Sequence, residues 1–375
     1  MSKVRTIPFF DYPKIYLSYK TDFQKIFNDV CSRGSYILQK DLSQFENALS
    51  KYSKIKYSLG VADGTNALLL GLSTQNIRKS DQIIIASHTY IATAAAIKMS
   101  GATPVFADIQ EDFMISPTSI EEQINKNTKG IMITQLNGRC CDMDQILKIT
   151  SKYNLKLYED SAQGIGSKYN GVSAGSFGEF GTFSFYPAKT LGSFGDGGAL
   201  ITNNKKIYEK VYQFRDHGRD NLGNVVSWGT NSRLDNLQAA FLKFKLKKLN
   251  NDINYRRKIA SIYFSELKNI DGINLPPNLE KNKKYFDTFQ NFEVEFQKRD
   301  KLKDFLYKNG VRTIIQWNGS PVHHFKKLGF GKNKFTHLKR TDLFFKRCLL
   351  LPMNPFLKEE DIYYICKKIR EFYRE

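Results

Sequence analysis

Between residues 57 and 202 the chain repeats one pattern: a short apolar run, a turn, then a segment with helical character. "YSLGVA" (57–62) is strand-like, and "DGTNALLLGL" after it opens with turn residues and becomes helical. "QIIIA" (82–86) is a second strand, "YIATAAAIKMS" a helix that Gly101 ends, and "TPVFAD" (103–108) a third strand. "GIMITQL" (130–136) and "LKLYED" (155–160) follow with a helical segment between them, and two further apolar runs flank Lys189. Apolar runs of this length separated by helices predict parallel pairing with helices on both faces. The expected fold is therefore an α/β sheet.

From about Ser232 the pattern changes. "SRLDNLQAAFLKFKLKKLNNDINYRRKIASIYFSEL" is one amphipathic stretch, longer than most globular helices, and predicts a helix that bridges two domains or is broken near "LNND". Beyond it, "FDTFQNFEVEF" alternates like a strand, "RDKLKDFLYKNG" reads as a helix closed by Gly310, "VRTIIQW" as a strand, and the last helix starts at Glu359. The expectation is a large α/β domain over 1–245 and a smaller C-terminal α+β domain over 246–375. No internal repeat or low-complexity linker interrupts them.

Composition excludes several classes. Apolar residues make up 41% and charged residues 25%, the profile of a globular chain. No window reaches the ~20 apolar residues of a membrane span, and "MSKVRTIPFFDYPK" lacks the apolar core of a signal peptide, about 7–15 residues. A cytoplasmic location without membrane insertion is expected. Cys31, Cys140, Cys141, Cys348 and Cys366 match neither a paired metal site nor a disulfide scaffold, so free thiols and no metal are expected. The net charge of +20, from 57 Lys and Arg against 37 Asp and Glu, raises nucleic acid as a partner. The lysines, however, are spread along the chain and densest where helical periodicity makes a solvated face, and no nucleic-acid motif accompanies them. No nucleic-acid partner is expected, and an anionic small molecule fits the charge.

Ligand chemistry in such a sheet belongs at the carboxyl ends of the strands. Asp63-Gly64-Thr65-Asn66 follows the first strand; read alone it is an ordinary helix cap, but its N–H groups and hydroxyl also suit a phosphate. "SHTY" (87–90) places the Tyr90 ring where it can stack on a flat ligand. Glu159, Asp160 and Gln163 follow "LKLY", and a buried carboxylate at Asp160 needs a cationic or hydrogen-bonding partner. Ser184, Tyr186 and Lys189 follow "GTFSF", and then "GSFGDGG" supplies a backbone that turns tightly. Together these make a phosphate cradle, a stacking ring, a carboxylate and a lysine. A pyridoxal phosphate enzyme needs that set, because the cofactor has a phosphate, a flat ring, a pyridine nitrogen and an aldehyde that condenses with lysine.

The segment "LYEDSAQGIGSKYNGVSAGSFGEFGTFSFYPAKTLGSFGDGGALITNN" resembles the signature block of the DegT/DnrJ/StrS family of sugar aminotransferases. "GSYILQKDLSQFE", "SLGVADGTNALLLGL", "ASHTYIATAAAI", "GATPVFADI", "RDHGR", "GTNSRLDNLQAAFL" and "LLLPMNP" resemble further family segments in the same order, over most of the chain. The resemblance implies the aspartate aminotransferase fold (fold type I): a mixed, mostly parallel seven-stranded sheet with a smaller C-terminal domain. It implies that Lys189 holds the cofactor covalently and that Asp160 pairs with the pyridine nitrogen. Gln163 would bond the ring hydroxyl, Tyr90 would stack on the ring, and Gly64, Thr65 and Ser184 would hold the phosphate. Asn231 matches a residue that reaches the phosphate in the neighbouring subunit, which makes the active unit a homodimer.

The implied reaction takes an amino group from L-glutamate and delivers it to the ketone of a nucleotide-linked sugar. That acceptor would be a dTDP- or UDP-activated 3-keto- or 4-keto-6-deoxyhexose, used in amino sugars for a surface glycan such as O-antigen lipopolysaccharide. Tyr186, His217, Arg219, Trp317 and His323 are the candidates for acceptor contacts. Where many family members carry "HLYGQPADM", this chain has "QLNGRCCDM" (135–143), and it has "GTNSR" for "GYNSR" and "IIQWNGSPVHHF" for a histidine-tyrosine-proline run. These departures are expected where a sugar or nucleotide is read. Two alternatives remain: a sugar dehydratase-like enzyme, which typically carries histidine in place of Lys189, and a non-catalytic regulatory or binding protein on the same fold.

Overall fold

The computed structural model describes residues 5–278 and 282–374. Nine extended segments occupy the first two-thirds of the chain: β1 (Tyr57–Val61), β2 (Gln82–Ala86), β3 (Thr103–Ala107), β4 (Thr128–Thr134), β5 (Lys156–Asp160), β6 (Lys168–Tyr169), β7 (Val172–Ser173), β8 (Gly181–Ser184) and β9 (Gly198–Thr202). Seven of them form one sheet in the order β1-β9-β8-β5-β4-β2-β3. Neighbours from β3 to β8 run parallel, and β9 is antiparallel to both β1 and β8. The apolar runs point to parallel pairing, and the mixed, mostly parallel seven-stranded sheet that the family resemblance implies is the one found.

The "QIIIA" run shows why these strands lack a polar face. Ile84 packs into the apolar cluster on one side of the sheet, while Ile83 and Ile85 pack into the cluster on the other. Helices cover both faces, so Ile83 to Ala86 are all buried and period-two alternation is lost.

The long stretch after Ser232 is two helices, Asn236–Leu246 and Leu249–Leu267, interrupted just before "LNND". The second connects two apolar clusters, with Leu249 and Ile253 in one and Ile259 to Leu267 in the other. Strands β10 (Ile273–Asn274), β12 (Phe292–Phe296) and β13 (Cys348–Leu351) form an antiparallel sheet, and β11 (Tyr285–Phe286) pairs instead with β6. Helices Arg299–Lys308 and Glu359–Arg374 complete this C-terminal α+β part. Gly310 closes the first of them at φ 79°, where a Cβ would lie 1.7 Å from the Arg5 carbonyl oxygen.

Two extended readings are corrected. "VRTIIQW" is not a strand: it makes single bridges, Ile7 to Val311 and Ile314 to Leu350, before a 3-10 turn over Gln316–Gly319. Trp317 and Asn318 are left-handed there, at φ 45° and 57°, which ends any ladder. "FDTFQNFEVEF" is extended at its ends only, because Phe289 turns left-handed at φ 49° and takes 287–291 out of the sheet.

Candidate active site

The carboxyl ends of the sheet strands open into one cavity of about 790 Å³. β1 leads through Asp63 into helix Gly64–Ser73, β2 leads to Tyr90, β4 ends at Thr134, β5 at Asp160 and β8 at Ser184. Gly64, Thr65, Tyr90, Asp160, Gln163, Ser184, Tyr186, Lys189 and Trp317 all line it. Most of the residues expected to bind a cofactor are therefore brought together by a single edge of the sheet.

The cradle at the start of helix Gly64–Ser73 is built by backbone. Asp63 caps the helix by accepting the Asn66 N–H at 2.8 Å, which leaves the preceding N–H groups without helical partners. A Cβ on Gly64 would lie 2.9 Å from the Ser184 Cβ, and a Cβ on Gly198 would lie 2.3 Å from the Asp63 carbonyl carbon. Only glycine at both positions lets the helix start approach the β8 and β9 ends this closely. The free N–H groups and the Ser184 hydroxyl form a cradle of the kind that holds a phosphate.

Asp160, the last residue of β5, is buried. Its carboxylate accepts the Thr93 hydroxyl at 2.6 Å and the Ala162 N–H at 3.1 Å. Thr93 is itself fixed by Thr89 at 2.7 Å, and Thr89 by Thr134 at 2.8 Å. Burial raises the pKa of Asp160; these hydrogen bonds and the charge of Lys189 pull the other way. Lys189 is half-buried, and its amine makes no hydrogen bond among the described residues. Burial pushes it down to about 8, against the attraction of Asp160.

Gln163 accepts the Asn137 N–H at 2.9 Å, so its amide NH₂ remains as the donor available to a ligand. The Tyr90 ring is exposed in the cavity and stands 6.2 Å from that of Trp317. A phosphate cradle, an open donor, a buried carboxylate and an amine without a hydrogen bond fit pyridoxal phosphate group by group.

The remaining sequence candidates lie elsewhere. Asn231, His217 and Arg219 do not line the cavity; all three are exposed on the loop between helices Lys205–Phe214 and Asn236–Leu246, where Asp216 bridges to Asn231. His323 does not line the cavity either and is a buried core residue. Its ring bonds Ser87 at 2.7 Å and Asp342 at 3.1 Å, with His324 on the same Asp342 oxygen at 2.7 Å.

Of the "QLNGRCC" departures, Asn137 bonds the cavity residues Gln163 and Asn291, whereas Gln135 and Arg139 do not line the cavity. Gln135 is buried and donates to Glu159 at 2.8 Å. Arg139 is buried over the Tyr285 ring, about 4 Å from Asp112 and Asp287. Residues not anticipated from sequence complete the wall, among them Phe9, Phe10, Asp196, Gln290, Asn291 and Gln316. Among the supporting residues, Thr89 and Thr93 stand four apart in "SHTYIAT" (87–93), Thr89 just before helix Ile91–Met99 and Thr93 in its first turn.

Comparison with known proteins agrees with this geometry. A family model described as the DegT/DnrJ/EryC1/StrS aminotransferase family matches residues 18–370. The chain is 34% identical over 372 residues, 98% of this chain and 99% of the relative, to a "Pleiotropic regulatory protein" of Geobacillus stearothermophilus. It is 35% identical over 367 residues, with 98% and 99% covered, to the dTDP-3-amino-3,6-dideoxy-alpha-D-galactopyranose transaminase of Aneurinibacillus thermoaerophilus. Among solved structures, S. venezuelae DesV in complex with a ketimine intermediate matches with a TM-score of 0.94 at 31% identity over 99% of both chains. The Bacillus subtilis ntda structure with bound cofactor PMP matches with a TM-score of 0.89 at 27% identity, covering 100% of this chain and 86% of that one. With the family model spanning nearly all of its length, the chain belongs to the DegT/DnrJ/EryC1/StrS aminotransferase family.

Proposed function

We propose that this aminotransferase moves an amino group from L-glutamate to the ketone carbon of a dTDP- or UDP-linked 3-keto- or 4-keto-6-deoxyhexose. The observation that carries the reading is Lys189, its amine without a hydrogen bond, sharing one cavity with the buried Asp160 and a backbone phosphate cradle. Pyridoxal phosphate, when bound, supplies an aldehyde carbon for the amino group and a ring that takes up an electron pair.

The chain's own groups do the rest. Gly64, Thr65 and Ser184 hold the phosphate, and Tyr90 covers the ring. Asp160 provides the negative charge that keeps the ring nitrogen protonated, held in place by Thr93 and Ala162. Gln163 turns its amide NH₂ to the ring hydroxyl. Lys189 anchors the cofactor and, once displaced, takes the proton from the donor's α-carbon. An amine pushed down to about 8 is neutral in a useful fraction near pH 7, whereas one at the ordinary 10.5 is not.

Tyr186 and Trp317 then form the wall against which the acceptor sugar lies. The loop bearing His217, Arg219 and Asn231 also carries Leu222 at 81% and Trp228 at 97% exposure. Such apolar exposure suits burial against a second copy of the chain. In that homodimer Asn231 reaches the partner's phosphate cradle, and His217 and Arg219 serve the partner's acceptor. The five unpaired cysteines fit a cytoplasmic enzyme, and a product feeding surface glycans such as O-antigen lipopolysaccharide fits the acceptor class.

The test is incubation of the cofactor-loaded protein with L-glutamate and each of the dTDP- and UDP-linked 3-keto and 4-keto sugars. An amino-sugar product, read by mass, supports the reading; no product from any of them, with the cofactor bound, sinks it. A second reading, a regulatory protein on this fold, is favoured by the name of the Geobacillus relative. It predicts cofactor binding without turnover.

A further inference from the structure

The loop that carries Lys189 leaves the sheet after β8, so its backbone polar groups need partners outside the ladder. The Lys189 N–H donates to the Tyr186 carbonyl at 2.8 Å. The residues on either side of it are satisfied by one side chain from the C-terminal part, Gln290. Its Oε1 accepts the Thr190 N–H at 2.6 Å and the Thr190 hydroxyl at 2.7 Å, and its Nε2 donates to the Ala188 carbonyl at 2.9 Å. Gln290 is 4% exposed and lines the cavity.

Gln290 is held in turn. The preceding residue, Phe289, sits at φ 49°, a conformation that a bulky aromatic adopts only when its surroundings impose it. Arg256 donates to the carbonyls of Phe289 and Gln290, at 3.3 and 3.2 Å. Gly138 lies against the same segment so closely that a Cβ there would fall 2.6 Å from the Phe289 and Gln290 nitrogens. The next residue reaches across to the opposite side of the cavity: Asn291 donates to Asn137 at 2.7 Å, and Asn137 donates to Gln163 at 2.9 Å.

We propose that Gln290 is the positioning residue for Lys189, fixing the backbone on both sides of the lysine so that its amine is presented to the cofactor and to the donor's α-carbon. This rests on the aminotransferase reading above. Strain stored at Phe289 is what orients the Gln290 amide toward the loop. A lysine side chain has four rotatable bonds, so a loosened backbone at 188–190 spreads the amine over many positions. A misplacement of about 1 Å costs on the order of a hundredfold in rate.

The experiment compares Gln290→Met, which keeps the volume and removes all three hydrogen bonds, with Gln290→Glu, which keeps the acceptor for Thr190 and loses the donor to Ala188. Leu302→Ala, in the C-terminal core, serves as the control for loss of stability alone. Three quantities are read: kcat and KM for L-glutamate, the pH dependence of Lys189 acylation in the cofactor-free protein by peptide mass mapping, and Tm.

For Gln290→Met we expect a fall in kcat of about 10- to 100-fold with KM changed by less than about threefold. Its acylation profile should move upward from about pH 8 as the amine leaves its buried place, and Gln290→Glu should fall between it and wild type. Leu302→Ala should lower Tm and leave kcat and the profile unchanged. If Gln290→Met changes Tm alone, or changes kcat no more than Leu302→Ala does, the positioning role is overturned. A wild-type protein that neither binds pyridoxal phosphate nor turns over would overturn the aminotransferase reading, and this role with it.

Discussion

Asp160 and Lys189 face one cavity from paired strands, Asp160 as the last residue of β5 and Lys189 five residues beyond the end of β8. Burial drives both toward their neutral forms, and the charge of each opposes that drive in the other. A cofactor that brings its own protonated nitrogen to Asp160 relieves the carboxylate and releases Lys189 from that pairing. The two residues should therefore fail differently when replaced.

Lys189→Ala should abolish the proton transfer, a loss on the order of 10²–10⁴-fold in turnover, while phosphate-anchored cofactor binding persists. Asp160→Asn should reduce turnover on the order of 10²–10³-fold through lost charge stabilisation. Thr93→Val, which removes one hydrogen bond to the same carboxylate, should cost about tenfold. Steady-state kinetics with L-glutamate rank the three; a Thr93 variant as impaired as Asp160→Asn would contradict the assigned hierarchy.

Burial pushes the Lys189 amine of the cofactor-free protein down from the ordinary lysine value to about 8. Because burial lowers it, capture of added pyridoxal phosphate should accelerate as pH rises from about 7 to 9 and then level off. An ordinary lysine would keep accelerating toward 10.5. Stopped-flow absorbance against pH distinguishes the two profiles.

Gly64→Ala places a methyl group against Ser184 in the phosphate cradle. Affinity for pyridoxal phosphate should fall at least tenfold, while affinity for pyridoxal, which lacks the phosphate, should change little. Equal weakening of both would place the phosphate elsewhere.

His323 is pushed down to about 4, chiefly by burial. Its folded pKa lies below the ordinary 6.5, so the unfolded chain takes up the proton first. Its contribution to stability is complete above about 6.5 and is lost as pH falls toward 4. His323→Asn should be less stable than wild type at pH 7.5, with the gap narrowing as pH falls to about 4.5, measured by urea unfolding. A gap independent of pH would mean that the ring titrates normally.

The strand ends were readable because buried parallel strands leave an unmistakable trace, an apolar run closed by polar residues, and the cavity is lined at or just beyond that closure. Asp160, Ser184 and Lys189 are of this kind. Gln290 and Asn291 are not: they act from a segment about a hundred residues later in the chain, and nothing local in "DTFQNF" marks a partner at Ala188 and Thr190. "VRTIIQW" misleads for the opposite reason, since its composition favours a strand and the left-handed pair Trp317-Asn318 overrides it. His323 follows the same logic, a polar residue in a promising run that the core uses to join Ser87 to Asp342.

The most direct measurement is the visible absorption spectrum of the purified protein with pyridoxal phosphate, before and after L-glutamate alone. The account predicts a visible band shifted to longer wavelength than that of free pyridoxal phosphate, a shift absent in Lys189→Ala, that bleaches on adding glutamate as the amino group passes to the cofactor. A band that forms in wild type and does not respond to glutamate, or no band at all, would contradict it.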